Sequence, residues 1–289
     1  MVGGGKISFP DYRETYEVGA IVRRALAEDI GPGDATTAVL GLVDKPARAE
    51  IVVKEPGVIC GLDVAAEVFA ALDGSVKFDK KTDDGVRVKP GEVAVKLDGR
   101  AGPLLAGERA ALNFLQRLSG ITTLTATFVE AVGPDGPAIM DTRKTAPGLR
   151  GLEKYAVRCG GGVNHRLGLY DAILIKDSHK RLVGGAGEAV ALARASNRDG
   201  LQIVCEVETV AEAVAAEEAG ADVVMFDNFK PARIEEALGM MAGKALTEVS
   251  GGVTLENVAG FAALGVDRIS VGALTHSARA LDVCMEVII

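Results

Sequence analysis

The C-terminal half of this sequence alternates short apolar segments with amphipathic helical patterns, and this alternation restricts the fold more than any other feature. Strands that alternate with helices form βα units around a parallel sheet. A complete eight-stranded barrel of such units takes about 250 residues. Because this region is shorter, it predicts an incomplete or modified (β/α) barrel. The predicted strands recur at intervals of roughly 20–34 residues, at 138–142, 171–177, 201–208, 221–228, 245–252 and 267–273.

The first part of the chain follows a different pattern. Its apolar residues alternate in short runs that end at Gly, Pro or Asp, which is typical of strands joined by turns. One segment instead has apolar residues at helical spacing. The pattern predicts a small α+β unit, with a strand and turn over 48–61, a helix over 63–73, and strands within 75–88 and 92–99.

A long helical stretch over 104–132 joins the two parts, and Ser119-Gly120 predicts a break or bend within it. A glycine inside a helix lowers its stability relative to alanine. The expected fold is therefore an N-terminal α+β sandwich domain with a linking helix, residues 1–118. An incomplete TIM-like (β/α) barrel, residues 119–289, is expected to follow it.

Composition excludes several classes of function. The formal net charge is −8, only 4% of residues are aromatic and Trp is absent, a combination that is unsuited to nucleic-acid binding. No apolar run approaches the ~20 residues of a membrane helix. The first residues also lack the apolar stretch of a signal peptide. We expect a cytoplasmic protein with neither a nucleic-acid nor a membrane partner.

The four cysteines lie far apart in the sequence, at positions 60, 159, 205 and 284. No CxxC pair is present, so spacing indicates neither a zinc site nor a redox dithiol. We expect four buried or partly buried thiols.

Polar residues stand at the C-terminal end of each predicted barrel strand. In a βα barrel these ends converge on one rim, where active sites are built. The rim series is Thr142-Arg143-Lys144, Lys176, Glu206 with Glu208, Asp227-Asn228, Ser250-Gly251-Gly252 and Gly272-Ala273.

The order of residue types along this rim indicates its ligands. The early strands supply cations, which suit carboxylates, and residues 138–180 hold eight Lys and Arg against four acids. Taken alone, that cationic segment is equally compatible with a solvated face. The middle strands supply carboxylates that suit Mg²⁺, and the last two supply Gly-rich loops whose N–H groups suit a phosphate. The rim therefore predicts a phosphorylated, Mg²⁺-bound ligand beside a carboxylated one.

Several long motifs resemble those of quinolinate phosphoribosyltransferases. The longest is 141–179, DTRKTAPGLRGLEKYAVRCGGGVNHRLGLYDAILIKDSH, and others lie at 107–121, 224–229, 248–253 and 269–278. The resemblance implies an N-terminal sandwich and a barrel with fewer than eight strands. It also implies phosphoribosyl transfer from phosphoribosyl pyrophosphate to quinolinate with loss of CO₂, yielding nicotinate mononucleotide for NAD synthesis.

The resemblance further implies a homodimer, or an assembly of dimers, with shared active sites to which Arg109 of the neighbouring subunit contributes. Glu206 and Asp227 would lie by the ribose hydroxyls and the Mg²⁺ of phosphoribosyl pyrophosphate, and with Lys144 and Lys176 they would be catalytic. The residues expected around the quinolinate carboxylates are Thr142, Arg143, Lys144, His165, Arg166 and Lys176. Those expected at the 5′-phosphate are Ser250, Gly251, Gly252, Val271, Gly272 and Ala273.

Three alternatives stay open from the sequence. One is a paralogue of the same fold, such as a molybdenum-transport-associated relative, and another is a transferase for a nicotinate-like monocarboxylate. The third is a non-catalytic phosphate or nucleotide sensor, since fold alone does not determine function. The cation set that includes His165-Arg166 and Lys176 favours the dicarboxylate substrate. The sequence assigns no role to His276, while His179 is expected to orient the Lys176 loop and Glu208 to lie behind Glu206.

Overall fold

The computed structural model of the chain describes residues 17–288. The expectation about a leader segment falls largely on residues 1–16, which lie outside that range. The helices are α1 (Val18–Ile30), α2 (Ala35–Val39), α3 (Leu62–Leu72), α4 (Ala101–Val132), α5 (Arg150–Cys159), α6 (Asp177–Val183), α7 (Ala186–Ser196), α8 (Val210–Glu218), α9 (Pro231–Met240), α10 (Val258–Ala262) and α11 (Ala273–His276). The strands are β1 (Pro46–Val53), β2 (Gly57–Val58), β3 (Lys77–Lys80), β4 (Arg87–Val88), β5 (Val93–Arg100), β6 (Ala138–Met140), β7 (Ile173–Ile175), β8 (Ile203–Val207), β9 (Val223–Asp227), β10 (Leu246–Ser250), β11 (Arg268–Ser270) and β12 (Val283–Ile288).

Two compact units make up the structure. The first contains residues up to 123, 146–160 and those from 278 onward, and the second contains 124–145 and 161–277. This grouping differs from a single boundary after residue 118. Strand β12 joins the first unit because it pairs with β1 along its length, and α5 joins it because the buried Glu153 pairs with Arg117 on α4.

The first unit is built on an antiparallel sheet with strand order β12-β1-β5-β3. Helix α3 presents Val64, Val68 and Phe69, all buried, at the helical spacing that the sequence predicts. The expected α+β unit is confirmed. Strand β12 is absent from the sequence-based prediction, since its partner in β1 lies more than two hundred residues away.

Of the predicted break or bend in the linking helix, the break is wrong, because α4 is one continuous helix of 32 residues. Gly120 serves close packing instead. A Cβ at this position would collide with the carbonyl oxygen of Arg279. Neighbouring Ser119 is fully buried and donates its hydroxyl to the Cys60 carbonyl.

Asp84 connects three segments of the first unit. Its Oδ1 accepts from the backbone N–H groups of Gly61 and Leu62, both at 3.0 Å, where α3 begins. Its Oδ2 accepts from the Tyr155 hydroxyl at 2.9 Å. Cys60 and Cys159 lie beside it, and the ligand atoms of these three residues are within 4.8 Å of one another. Spacing in the sequence gives no sign of this cluster, because the fold brings the residues together.

The cysteines have the burial expected of them. Cys60 and Cys205 are buried, and Cys159 and Cys284 are partly buried. Burial raises the pKa of the Cys205 thiol to about 12. Within residues 17–288, no helix is both long and apolar enough to cross a membrane.

The second unit contains a parallel sheet of six strands in the order β6-β11-β10-β9-β8-β7. All six predicted strands are present. The first strand of this sheet along the chain, β6, pairs with the last, β11, as the first and last strands of a complete barrel do. Its sequence neighbour β7 pairs with β8 alone among the described strands, so the barrel is open between β6 and β7. The incomplete barrel is confirmed.

Candidate active site

The strand register aligns the polar residues of the rim. Ser250 pairs with Asp227 on one side and with Ser270 on the other. Because side chains alternate along a strand, the residues two positions earlier face the same way. Apolar residues fill the interior below the rim, where Val204, Val223 and Met225 pack together with Leu174.

A cavity of about 450 Å³ opens above this floor, entirely within the second unit. It brings together most of the residues predicted for the site. The predicted residues that line it are Thr142, Arg143, Lys144, His165, Arg166, Lys176, Glu206, Asp227, Ser250, Gly251 and Gly252. Leu174, Met225, Asn228 and Ser270 line it as well.

Two arginines form the cationic side of this cavity. The Nε atoms of Arg143 and Arg166 are buried and have no hydrogen-bond partner among the described residues. Arg166 donates to the Ala172 carbonyl through Nη1 at 3.4 Å. Burial, and then the charge of Arg143, lower the pKa of Arg166. Buried donors are nearly always paired in folded proteins, so two unpaired guanidinium N–H groups facing one cavity indicate an anionic ligand.

His165 is held in place from its backbone and from its ring. Its N–H donates to Asp141 Oδ1 at 2.9 Å, and its Nδ1 accepts from the Arg166 backbone at 2.7 Å. Asp141 is fully buried and also accepts from Asn164 at 2.5 Å. Because the Asp141 carboxylate accepts from two N–H groups, it fixes the loop that follows Gly160–Gly162. His165 is therefore held by the residue that follows β6 and does not lie in an unrestrained turn.

The carboxylates of Glu206 and Asp227 line the same cavity as the arginines. Lys176 donates to Glu206 Oε1 at 3.2 Å. Asp227 ends β9 and lines the same cavity. His179 accepts from the Lys176 backbone N–H at 2.9 Å, a contact of the kind expected if His179 orients the loop around Lys176.

Glycine is required at position 251, where the chain turns after β10. Gly251 has a φ of +91°, and Asn228 beside it has a φ of +56°. A Cβ at position 251 would collide with the Asn228 side chain. Asn228 in turn donates its backbone N–H to the Ser250 carbonyl at 2.9 Å. The backbone at Gly251 therefore lies close to Asn228, and it faces the cavity without a side chain.

Besides Arg109 and His179, five of the residues singled out in the sequence do not line the cavity. Val271 is buried, and its N–H donates to the Met140 carbonyl at 2.8 Å. Gly272 lies next to Lys144, since a Cβ there would come 3.2 Å from Lys144 Cδ, and Ala273 begins the short α11. Glu208 is exposed just beyond the end of β8, so it does not share a strand face with Glu206. His276 is exposed and contacts Ser277.

Arg109 lies in the first unit on α4. Its side chain is 58% exposed, and its nearest acidic partner, Glu108, is 4.0 Å away.

Glu248 is the main feature of the site that sequence reasoning missed. It is fully buried in β10, accepts from the Ser270 hydroxyl, and lies 3.6 Å from His165 Nε2. Burial raises the pKa of Glu248 to about 7 from 4.5. As pH rises from about 4.5 to about 7, the unfolded chain loses a proton that the native carboxyl keeps. The free energy of unfolding therefore falls over that window, and the loss remains at higher pH. The available signal is its position two residues before Ser250, on the same strand face.

The fold and the cavity define an anion-binding protein on an open α/β barrel. Comparison with known families agrees. Residues 34–119 match the N-terminal domain of quinolinate phosphoribosyl transferase, and residues 121–286 match the C-terminal domain of the same enzyme. The chain belongs to the quinolinate phosphoribosyltransferase family.

Individual relatives are similar over nearly their whole length. A probable nicotinate-nucleotide pyrophosphorylase (carboxylating) from Bacillus subtilis is 45% identical, with 90% of each chain covered. The nicotinate-nucleotide pyrophosphorylase (carboxylating) of Mycobacterium leprae is 42% identical, covering 92% of this chain and 95% of the relative. The crystal structure of NadC from Streptococcus pyogenes superimposes with a TM-score of 0.91 at 40% identity, covering 94% of this chain and 97% of that one.

Proposed function

We propose that this chain transfers the phosphoribosyl group of phosphoribosyl pyrophosphate to the nitrogen of quinolinate and releases CO₂ and pyrophosphate. The observation that carries the proposal is the cavity, whose lining combines two arginines with buried, unpaired Nε–H groups, two carboxylates and a glycine turn. Family membership supplies the reaction class, and the charged and glycine residues that line the cavity support the assignment.

Quinolinate binds on the cationic side. Arg143 and Arg166 supply buried N–H groups that lack a protein acceptor, and a guanidinium can grip a carboxylate through two parallel hydrogen bonds. Lys144, His165 and Thr142 line the same side. Two adjacent carboxylates on the pyridine ring need this number of donors, which is more than a monocarboxylate requires.

Phosphoribosyl pyrophosphate binds on the opposite side. The backbone of Gly251 and Gly252 faces the 5′-phosphate, with the Ser250 hydroxyl beside it. Asp227 and Glu206 lie by the ribose hydroxyls. Lys176 stands next to Glu206 at 3.2 Å and faces the phosphate charge from between the two substrates.

The carboxylates of Glu206 and Asp227 suit Mg²⁺. Both are hard oxygen donors that line the cavity. Among residues 17–288, the only group of three His, Cys, Asp or Glu ligand atoms is at Cys60, outside this site. Mg²⁺ commonly takes one or two protein carboxylates and completes its shell with water and substrate phosphates. When bound, Mg²⁺ neutralises charge on the leaving pyrophosphate.

The reaction requires no protein nucleophile. The bond from the ribose carbon to pyrophosphate breaks as the pyridine nitrogen forms its bond to that carbon. Holding the two substrates together can supply about 7–11 kcal/mol of the barrier. The alkylated nitrogen is positive, so the ring stabilises the carbanion left when the adjacent carboxylate departs as CO₂, and a proton then replaces it. Arg143 and Arg166 hold the carboxylate that stays.

The active form is a homodimer in the cytoplasm, and Arg109 of one subunit completes the quinolinate site of the other. The exposed guanidinium of Arg109, 4.0 Å from its nearest acid, supports this role because it is available to a second chain.

The direct test supplies quinolinate, phosphoribosyl pyrophosphate and Mg²⁺ to the purified protein and measures nicotinate mononucleotide and CO₂. Formation of both in equal amounts supports the proposal. Turnover of nicotinate alone would assign the protein to a monocarboxylate transferase. A folded protein that binds phosphoribosyl pyrophosphate but turns over neither acid would be a sensor.

A further inference from the structure

Glu248 lies in the barrel interior directly behind the proposed quinolinate site. Its side chain has no exposed surface. One carboxyl oxygen, Oε1, accepts from the Ser270 hydroxyl and lies 3.6 Å from His165 Nε2. The other, Oε2, is buried without a hydrogen-bond partner among the described residues. An ionised carboxylate in this position would leave most of its acceptor capacity unused, which is costly in a buried site.

The charged groups around Glu248 do not compensate for its burial. His165 approaches from the loop between α5 and β7, Arg268 pairs with Glu248 in register on β11, and Glu206 acts from β8. Desolvation has the largest effect and raises the pKa of Glu248 to about 7, while the Ser270 hydrogen bond and Arg268 oppose it and Glu206 adds to it. The carboxyl is therefore neutral over the lower part of the physiological range.

The ring of His165 restricts where a shared proton can reside. Nδ1 accepts from the Arg166 backbone at 2.7 Å, so the neutral ring carries its proton on Nε2, the atom nearest Glu248. Protonating Nδ1 would break that hydrogen bond. The proton that keeps this pair free of net charge is for this reason held on Glu248 and not on the imidazole.

We propose that Glu248 is a positioning residue for quinolinate, which acts through His165 and must be in its neutral carboxylic acid form for the substrate to bind. The proposal rests on the proposed placement of quinolinate against Arg143, His165 and Arg166. Quinolinate carries two negative charges near neutral pH. An ionised Glu248 behind His165 would offset part of the positive charge that the arginines provide, in an interior where solvent screening is weak.

The expected signature is a proton linked to substrate binding. Above the pKa of Glu248, each binding event takes up one proton, so the quinolinate KM rises about tenfold per pH unit. Glu248→Gln keeps the shape and the hydrogen-bonding capacity of the neutral acid and cannot ionise. Its KM therefore stays flat over the same range.

Ser270→Ala gives a second, directional test. The Ser270 hydroxyl donates to the carboxylate and favours its ionised form. Removing that hydroxyl raises the pKa of Glu248 further, so the rise in KM begins at a higher pH than in the wild type. A merely structural role for Ser270 would change KM without moving this break.

The experiment measures the quinolinate KM and kcat from about pH 6 to about pH 9 for the wild type, both variants and Glu235→Gln, which removes an exposed carboxylate from α9. Calorimetry of quinolinate binding in two buffers of different ionisation enthalpy measures proton uptake directly. Proton uptake by the wild type and the control, and its loss in Glu248→Gln, support the proposal.

A wild-type KM that is flat while turnover is normal overturns the role of Glu248 and leaves the proposed function intact. Unchanged pH dependence in Glu248→Gln overturns it as well. Absence of turnover by the wild type at every pH refutes the proposed function itself. If Glu248→Gln fails to fold, as circular dichroism would detect, wild-type proton uptake and the direction of the Ser270→Ala shift decide the question.

Discussion

Replacing Arg166 by methionine removes a guanidinium that the folded protein alone barely uses. Among residues 17–288, its one hydrogen bond is to the Ala172 carbonyl at 3.4 Å, and burial together with Arg143 lowers its pKa. A cation whose folded pKa is depressed disfavours the fold, so its removal is not expected to lower Tm. The effect on substrate binding is larger than the effect on stability, because breaking a buried charge-assisted pair between Arg166 and a quinolinate carboxylate costs about 3 kcal/mol.

That free energy corresponds to a rise of about 150-fold in the quinolinate KM. Arg166→Lys keeps the charge but loses the planar fork, and we expect about 5- to 30-fold. Steady-state kinetics with quinolinate varied at saturating phosphoribosyl pyrophosphate measures both, and differential scanning calorimetry gives Tm. Arg181→Met is the matched control, because Arg181 is 77% exposed and pairs with Asp177 on the surface. An unchanged quinolinate KM in Arg166→Met, or a large fall in Tm, would refute the assigned role.

Three further predictions follow from other residues. Asp227→Asn should raise the KM for phosphoribosyl pyrophosphate about 5- to 150-fold and increase the Mg²⁺ concentration needed; a KM independent of this change at every Mg²⁺ concentration contradicts the metal assignment. Inactive Arg109→Ala and Arg143→Ala variants, mixed under conditions of proven subunit exchange, should recover activity in hybrid sites, and no recovery counts against a shared site. Asp84→Ala should lower the free energy of urea unfolding by about 2–4 kcal/mol, because it leaves two backbone N–H groups and a hydroxyl without an acceptor; Asp84→Asn should lose less, and a loss below about 1 kcal/mol in the alanine variant would show that Asp84 does not stabilise this region.

The barrel strands and their polar ends are predictable because both follow from local pattern. Apolar runs of five or so residues between helical patterns mark the strands, and parallel strands bring their C-terminal ends to one rim. Arg143, Glu206, Asp227 and Ser250 therefore reach one cavity in the structure as the sequence indicates. Glu248 escaped because it lies within its strand and not at the strand end, and its partner Ser270 is supplied by another strand.

Features that depend on distant partners could not be predicted in this way. The low helix propensity of glycine indicates a weak point at Gly120. In the structure, however, the backbone there packs closely against Arg279, which lies far along the chain. The close packing at Gly120 overrides that propensity. Strand β12 is a run of only six residues, VCMEVI, without regular alternation, and nothing local indicates that β1 is its partner. The meeting of Cys60, Asp84 and Cys159 likewise depends on tertiary structure alone.

The location of unpaired polar atoms links the stability of this fold to its function. Arg143 and Arg166, which line one cavity, each keep a buried Nε–H without an acceptor, and Glu248, which lies 3.6 Å from the cavity residue His165, keeps a buried oxygen without a donor. By contrast, the buried Glu153 in the first unit accepts three hydrogen bonds. Unpaired buried groups cost stability, and we expect the two cavity arginines to be completed by the substrate carboxylate. A site held in this form before quinolinate arrives needs little rearrangement on binding, which is the condition for positioning two anionic substrates in contact.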